Sequence, residues 1–164
     1  MYSYTELRKE HPEFIYRGYE IEESADKVGI VYDFEIPGLA SFHPTWEFPK
    51  KRGEQRCFKE NGTFQKLVFS LGMVELISYW KTACPPVVKV EAGSLTEEQC
   101  DWWKDLYFNG LGEFYYTNGI QENQEDFMEI RSLGGDVEGA EQPLSREAEG
   151  FLIPVGGGKD SAVT

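Results

Sequence analysis

Apolar residues recur at every second position over much of the chain's first third. Ile30-Val-Tyr-Asp-Phe-Glu-Ile36 alternates apolar and polar side chains, the period of a strand with one buried face. Tyr16, Tyr19 and Ile21 precede it across a polar turn at Glu22-Glu-Ser-Ala-Asp-Lys27, and Pro37-Gly38 ends it. Phe42, Trp46 and Phe48 follow in a proline-punctuated stretch that reads as an edge strand or loop. The period then lengthens. Phe64, Leu67, Val68, Leu71, Val74 and Ile77 fall near i, i+3, i+4, i+7, which predicts a helix over 64–82 capped by Asn61 or Thr63. Cys84-Pro85-Pro86 stops it, because a proline offers no N–H to the helical ladder. Val87-Val-Lys-Val-Glu91 reads as a short strand. Ser94-Leu-Thr-Glu97 has the form of a capping box, opening a second helix through Trp102, Trp103, Leu106 and Tyr107. Asn109-Gly110 and Asn118-Gly119 predict turns on either side of Phe114, Tyr115 and Tyr116.

From 121 to 150 the pattern fades. This stretch holds nine acids against two arginines, with four glycines and Pro143, and reads as a mostly exposed acidic connector with one short strand near 127–130. An apolar run, Phe151-Leu-Ile-Pro-Val155, then starts something new. The expected fold class is α+β: a β-rich segment with two main helices in a domain over 1–150. The first strand and loop of an α/β domain follow over 151–164, and the remainder of that domain lies outside the sequence.

Composition narrows the partners. With 40% apolar and 15% aromatic residues, 164 residues suffice for one domain with a real core. The net charge of −13 argues against duplex nucleic acid, whose phosphates need Lys and Arg. Lys50, Lys51, Arg52, Arg56 and Lys59 form a basic island that reads as a solvated loop or as a landing site for a diphosphate or carboxylate. Three cysteines, Cys57, Cys84 and Cys100, without a CxxC pair are expected to be reduced thiols. The N-terminus, Met1 to Glu10, has no apolar core of a signal peptide and no apolar stretch approaches the length of a membrane span, so a cytoplasmic location without membrane attachment is the expectation.

The chemistry is concentrated in Gly156-Gly-Gly-Lys-Asp-Ser161. Glycines bring backbone N–H groups close to an anion, and a strand delivers the loop. It is not a Walker loop, since Asp160 follows the lysine, nor a GxGxxG loop, since the third glycine is missing. It resembles the pyrophosphate loop of the N-type ATP pyrophosphatases, usually Ser-Gly-Gly-x-Asp-Ser. Gly156 stands where that pattern has serine, while Gly157, Gly158, Asp160 and Ser161 match. The resemblance implies that Gly156, Gly157, Gly158, Lys159, Asp160 and Ser161 bind the pyrophosphate part of ATP. With adenine and ribose contacts missing, this chain alone is expected not to bind ATP.

Two further stretches, Tyr79-Trp-Lys-Thr-Ala-Cys-Pro-Pro86 and Leu106-Tyr-Phe-Asn-Gly-Leu-Gly-Glu-Phe114, combine with the loop. Together they resemble the N-terminal part of the epimerase family that acts on UDP-N-acetylmuramoyl-L-alanyl-L-glutamate in peptidoglycan biosynthesis. That resemblance implies a small-molecule sugar-nucleotide substrate, ATP and Mg²⁺, an acyl-adenylate, and release of AMP and pyrophosphate. Other pyrophosphatase-loop adenylating enzymes, of ligase or amidotransferase type, and a non-catalytic binding module are the alternatives.

The residues leave the catalytic acid and base open. Lys81, a cation at the end of an apolar helix, is one candidate for a polar role; a lysine in a last helical turn is the ordinary alternative. Glu113, isolated among apolar neighbours, could serve as acid or base if buried; otherwise it is an exposed turn carboxylate. Tyr115 and Tyr116 could stack on a base or sugar, with core packing the simpler role. His11 and His43, each beside a proline, are expected on surface loops.

Overall fold

The computed structural model describes residues 3–51 and 57–135. They form one mixed sheet with helices packed on it. The order along the chain is α1 (Tyr4–Glu10), β1 (Glu13–Glu23), β2 (Lys27–Ile36), β3 (Ala40–Phe42), β4 (Thr45–Pro49) and α2 (Gly62–Trp80). There follow β5 (Val87–Val90), α3 (Glu97–Gly110), α4 (Gly112–Asn118) and β6 (Glu129–Ser132). This is the α+β class, with α2 and α3 as the two main helices. The sheet runs β3-β2-β1-β5-β6, with β4 also paired to β2. β1, β2, β3 and β4 pair antiparallel, whereas β5 lies parallel to β1 and β6 parallel to β5. Parallel pairs need crossovers, and α2 and α3 lie in them.

β2 shows the alternation read from its sequence. Val28, Ile30, Tyr32, Phe34 and Ile36 are buried and the residues between them are half-buried. β1 does not keep a single alternation, because its pairing with β2 shifts between Tyr16 and Gly18. The extra residue, Arg17, moves the inward face from Phe14 and Tyr16 to Tyr19 and Ile21, which is the action of a β-bulge.

α2 is apolar on most of its circumference and contacts β1 and β2. Its carbonyls are bonded by tyrosines from its neighbours: Tyr32 donates to Val68 O at 2.9 Å and Tyr107 to Met73 O at 2.5 Å. Gly72 is required at this seam. A Cβ there would lie 2.1 Å from Tyr16 Oη. Asn61 is the cap, its carboxamide oxygen accepting from Phe64 N–H at 2.8 Å.

Several expectations need correction. The chain has a helix before its first strand, α1, closed by a reciprocal Ser3–Glu6 capping box. The capping box of α3 is Thr96 with Gln99, not Ser94 with Glu97. The Leu95 N–H is donated to Ser132 Oγ on β6 at 2.8 Å, which holds the chain outside the helix for two more residues. Asn109-Gly110 lies in the last turn of α3, and the aromatic run is itself α4; only Asn118-Gly119 makes the expected stop, with Gly119 at φ +65. His11 is buried with an unpartnered Nδ1, because α1 lies against the core; His43 is exposed, 3.6 Å from Asp33. The expected strand near 127–130 is β6, and Phe127 and Met128 leading into it are buried. Residues 136–164, including the boundary drawn at 150, lie outside the described residues, as do Arg52 and Arg56 of the basic island.

Candidate functional site

The stretch from Tyr79 to Pro86 closes the end of α2 with bonds to backbone carbonyls. Trp80, fully buried against Phe127, donates its indole N–H to Pro85 O at 2.8 Å. The N–H groups of Ala83 and Cys84 return to Trp80 O, and Cys84 adopts φ +52 to make the turn. That left-handed geometry is uncommon for a residue with a Cβ and stores strain. Arg8 of α1 clamps the turn from outside, donating to Cys84 O at 2.8 Å and to Asp126 O at 3.1 Å.

These bonds leave a cleft of about 590 Å³ between α1, the end of α2 and α4. Tyr4, Thr5, Lys81, Phe114, Asn118 and Gln121 are among the residues lining it. Lys81 is exposed, with Nζ 5.9 Å from the Phe114 ring centroid, inside cation–π range. Tyr4 donates to Glu122 Oε2 at 2.9 Å, and burial raises its phenol well above the ordinary range. The Tyr115 hydroxyl is buried without a partner, and its phenol too is raised by burial. Burial also pushes the Cys84 thiol up to about 11, so at neutral pH it is a protonated, unreactive side chain.

Of the two candidates for polar roles, the structure brings Lys81 to this cleft and leaves Glu113 aside. Glu113 is exposed in the first turn of α4 and does not line the cleft. The two tyrosines separate as well. Tyr115 enters the core, while Tyr116 is 90% exposed. The glycine-rich loop, Gly156 to Ser161, lies outside the described residues. Arg8 and Tyr4 were missed from sequence; the only signal for them was a capping-box spacing from Ser3 to Glu6 that places both on one short helix.

The fold is thus an α+β domain, a mixed sheet carrying helices, with a cleft containing Lys81 where its first, second and fourth helices meet. The chain belongs to the family described as the MurL N-terminal domain, whose model matches residues 5–164. It is 32% identical over 100 residues to the UDP-N-acetyl-alpha-D-muramoyl-L-alanyl-L-glutamate epimerase of Xanthomonas oryzae pv. oryzae. That match covers 61% of this chain and 21% of the relative, so the chain spans about a fifth of the length of the protein it matches. No helix among the described residues is long and apolar enough to cross a membrane.

Proposed function

We propose that this chain is the N-terminal part of an ATP-dependent epimerase that converts the terminal L-glutamate of UDP-N-acetylmuramoyl-L-alanyl-L-glutamate to the D form, in the cytoplasm, for cell-wall precursor synthesis. The observation that carries this reading is the family match running through to residue 164, across a loop whose residues suit a pyrophosphate group.

The chemistry has a physical logic. The α-proton of a glutamate is a very weak acid while the adjacent carboxylate is charged, because the carbanion would put two negative charges side by side. Joining that carboxylate to AMP removes the charge. A base can then take the proton and an acid return it on the opposite face, and water cleaves the acyl–AMP bond to free the D-glutamate carboxylate and AMP. ATP, with Mg²⁺, supplies the activation. Gly157 and Gly158 would offer N–H groups to the pyrophosphate, Ser161 its hydroxyl, and Lys159 a positive charge. Asp160 would brace the loop. Glu113 lies exposed on α4, and of the two candidates for a polar role Lys81 is the one placed in a cleft.

The test is ATP–pyrophosphate exchange by the enzyme that carries this domain. Exchange should require the L-glutamate-terminated UDP precursor. Exchange that proceeds only with other carboxylic acids would overturn the assignment in favour of a different adenylating enzyme.

A further inference from the structure

The geometry points to an oxyanion-binding site in the cleft at Lys81, with the ammonium as its charged contact and Phe114 as the apolar wall beneath it. Three observations support this. First, among the described residues Lys81 is the only charged side chain lining the cleft, in a chain whose net charge is −13. Charges beyond about 8 Å are screened at physiological salt, so an anion responds to the local group and not to the total.

Second, the backbone carbonyls at the end of α2 are already engaged. The carbonyls of Tyr79, Trp80 and Pro85 accept from Thr82, from Ala83 and Cys84, and from the Trp80 indole. The Cys84 carbonyl accepts from Arg8. Two carboxylates bond to lining residues and keep their charge, Glu122 accepting from the Tyr4 hydroxyl and Asn123 N–H and Glu6 from Ser3, but neither lines the cleft itself. Third, among the described residues no carboxylate pairs with Lys81, whose ammonium lies against the Phe114 ring. An ammonium held over a ring remains free to make a charge-assisted hydrogen bond.

The volume, about 590 Å³, is in the range of small-molecule sites. Two sources of an oxyanion fit, a nucleoside diphosphate and a peptide carboxylate. The choice between them rests on the epimerase reading, whose substrate contains both; oxyanion binding as such does not.

The experiment is an amide-resolved NMR titration of the 164-residue chain with UDP and, separately, with L-alanyl-L-glutamate, each to about 10 mM. At least one probe should saturate, with shifts concentrated at Thr5, Lys81, Phe114 and Asn118, and the tighter of the two names the source. Lys81→Gln should weaken that binding about tenfold or more, and Lys81→Arg should retain most of it. Unchanged thermal melting of both variants excludes misfolding as the cause. Silence with both probes, or Lys81→Gln binding like the parent, would overturn the site. The epimerase reading fails separately, through pyrophosphate exchange, so one result does not decide the other.

Discussion

The cleft on the sheet's polar face and the cleft at Lys81 hold nearly equal volumes, about 560 Å³ and about 590 Å³, yet they treat charge in opposite ways. The first is lined by Arg17, Glu20, Asp33 and His43 among others, and its cation is consumed internally. Arg17 donates from Nε and Nη2 to Glu35, at 3.0 and 2.7 Å, and from Nη1 to Glu91 at 2.9 Å, so it bridges β2 and the end of β5 across the bulge. Those bonds hold the sheet. At Lys81 the scaffold is held by backbone-directed bonds from Arg8 and Trp80, and the cation is left over. A charge spent on its own neighbours serves stability; a charge spared by them is available to a ligand.

Both clefts lean on the seam between α2 and the sheet, which sets the largest expected effect. Gly72→Ala would put a methyl group 2.1 Å from Tyr16 Oη and 2.8 Å from Tyr32 Cε1, both rings being fully buried. A loss of about 3 kcal/mol in urea unfolding is expected, abolishing the distinction between the two regions. Trp80→Phe strikes only the Lys81 side. It leaves the Pro85 carbonyl buried without its donor, and should cost about 2 kcal/mol by the same measurement while the pairing of Arg17 persists.

pH separates the regions differently. Burial raises the Cys84 thiol from an ordinary 9.0 to about 11, with Arg8 opposing. The folded chain therefore keeps its proton where the unfolded chain loses it. That stabilisation is complete below pH 9 and is lost as pH rises toward 11. Urea midpoints at about pH 8 and about pH 10.5 should fall less steeply in Cys84→Ala than in the parent. Equal slopes would show that the thiol is not enclosed. Arg17→Ala should cost at most about 1 kcal/mol, since its bridges are partly exposed, and the loss should shrink in high salt. Lys81→Gln should change stability by less than about 0.5 kcal/mol. A larger loss would mean that Lys81, like Arg17, is spent on the fold.

Sequence legibility divides along similar lines. β2 and α2 were readable because one period runs through each and each buries a continuous face. The start of α3 was displaced by two residues because a hydrogen bond to a distant strand, from Leu95 N–H to Ser132 Oγ of β6, outweighs the local spacing. α4 was read as flanking turns, since aromatic residues and asparagine-glycine pairs carry weak helical preference. Its neighbours supply the missing stability: Tyr115 packs on Phe108 and Phe127, far away along the chain or just before it. Lys81 was readable as a cation ending an apolar helix. Its place in a cleft was not, because the residues that shape that cleft, Tyr4 and Thr5 on one side and Phe114 and Asn118 on the other, are separated from it by tens of positions.

The sequence by itself determined the α+β class, the two main helices, the stop at Cys84-Pro85-Pro86 and the kinship carried by that stretch and the glycine-rich loop. These depend on local periods, on the missing N–H of proline and on short motifs, all of which are written in neighbouring residues. Only the tertiary structure decided that β5 and β6 join the sheet in parallel, that Arg17 is a bulge with its charge spent, and that Lys81 is a cation without a carboxylate partner among the described residues. Pairing of charges depends on which distant side chains arrive within a few ångströms, and no local pattern encodes that distance.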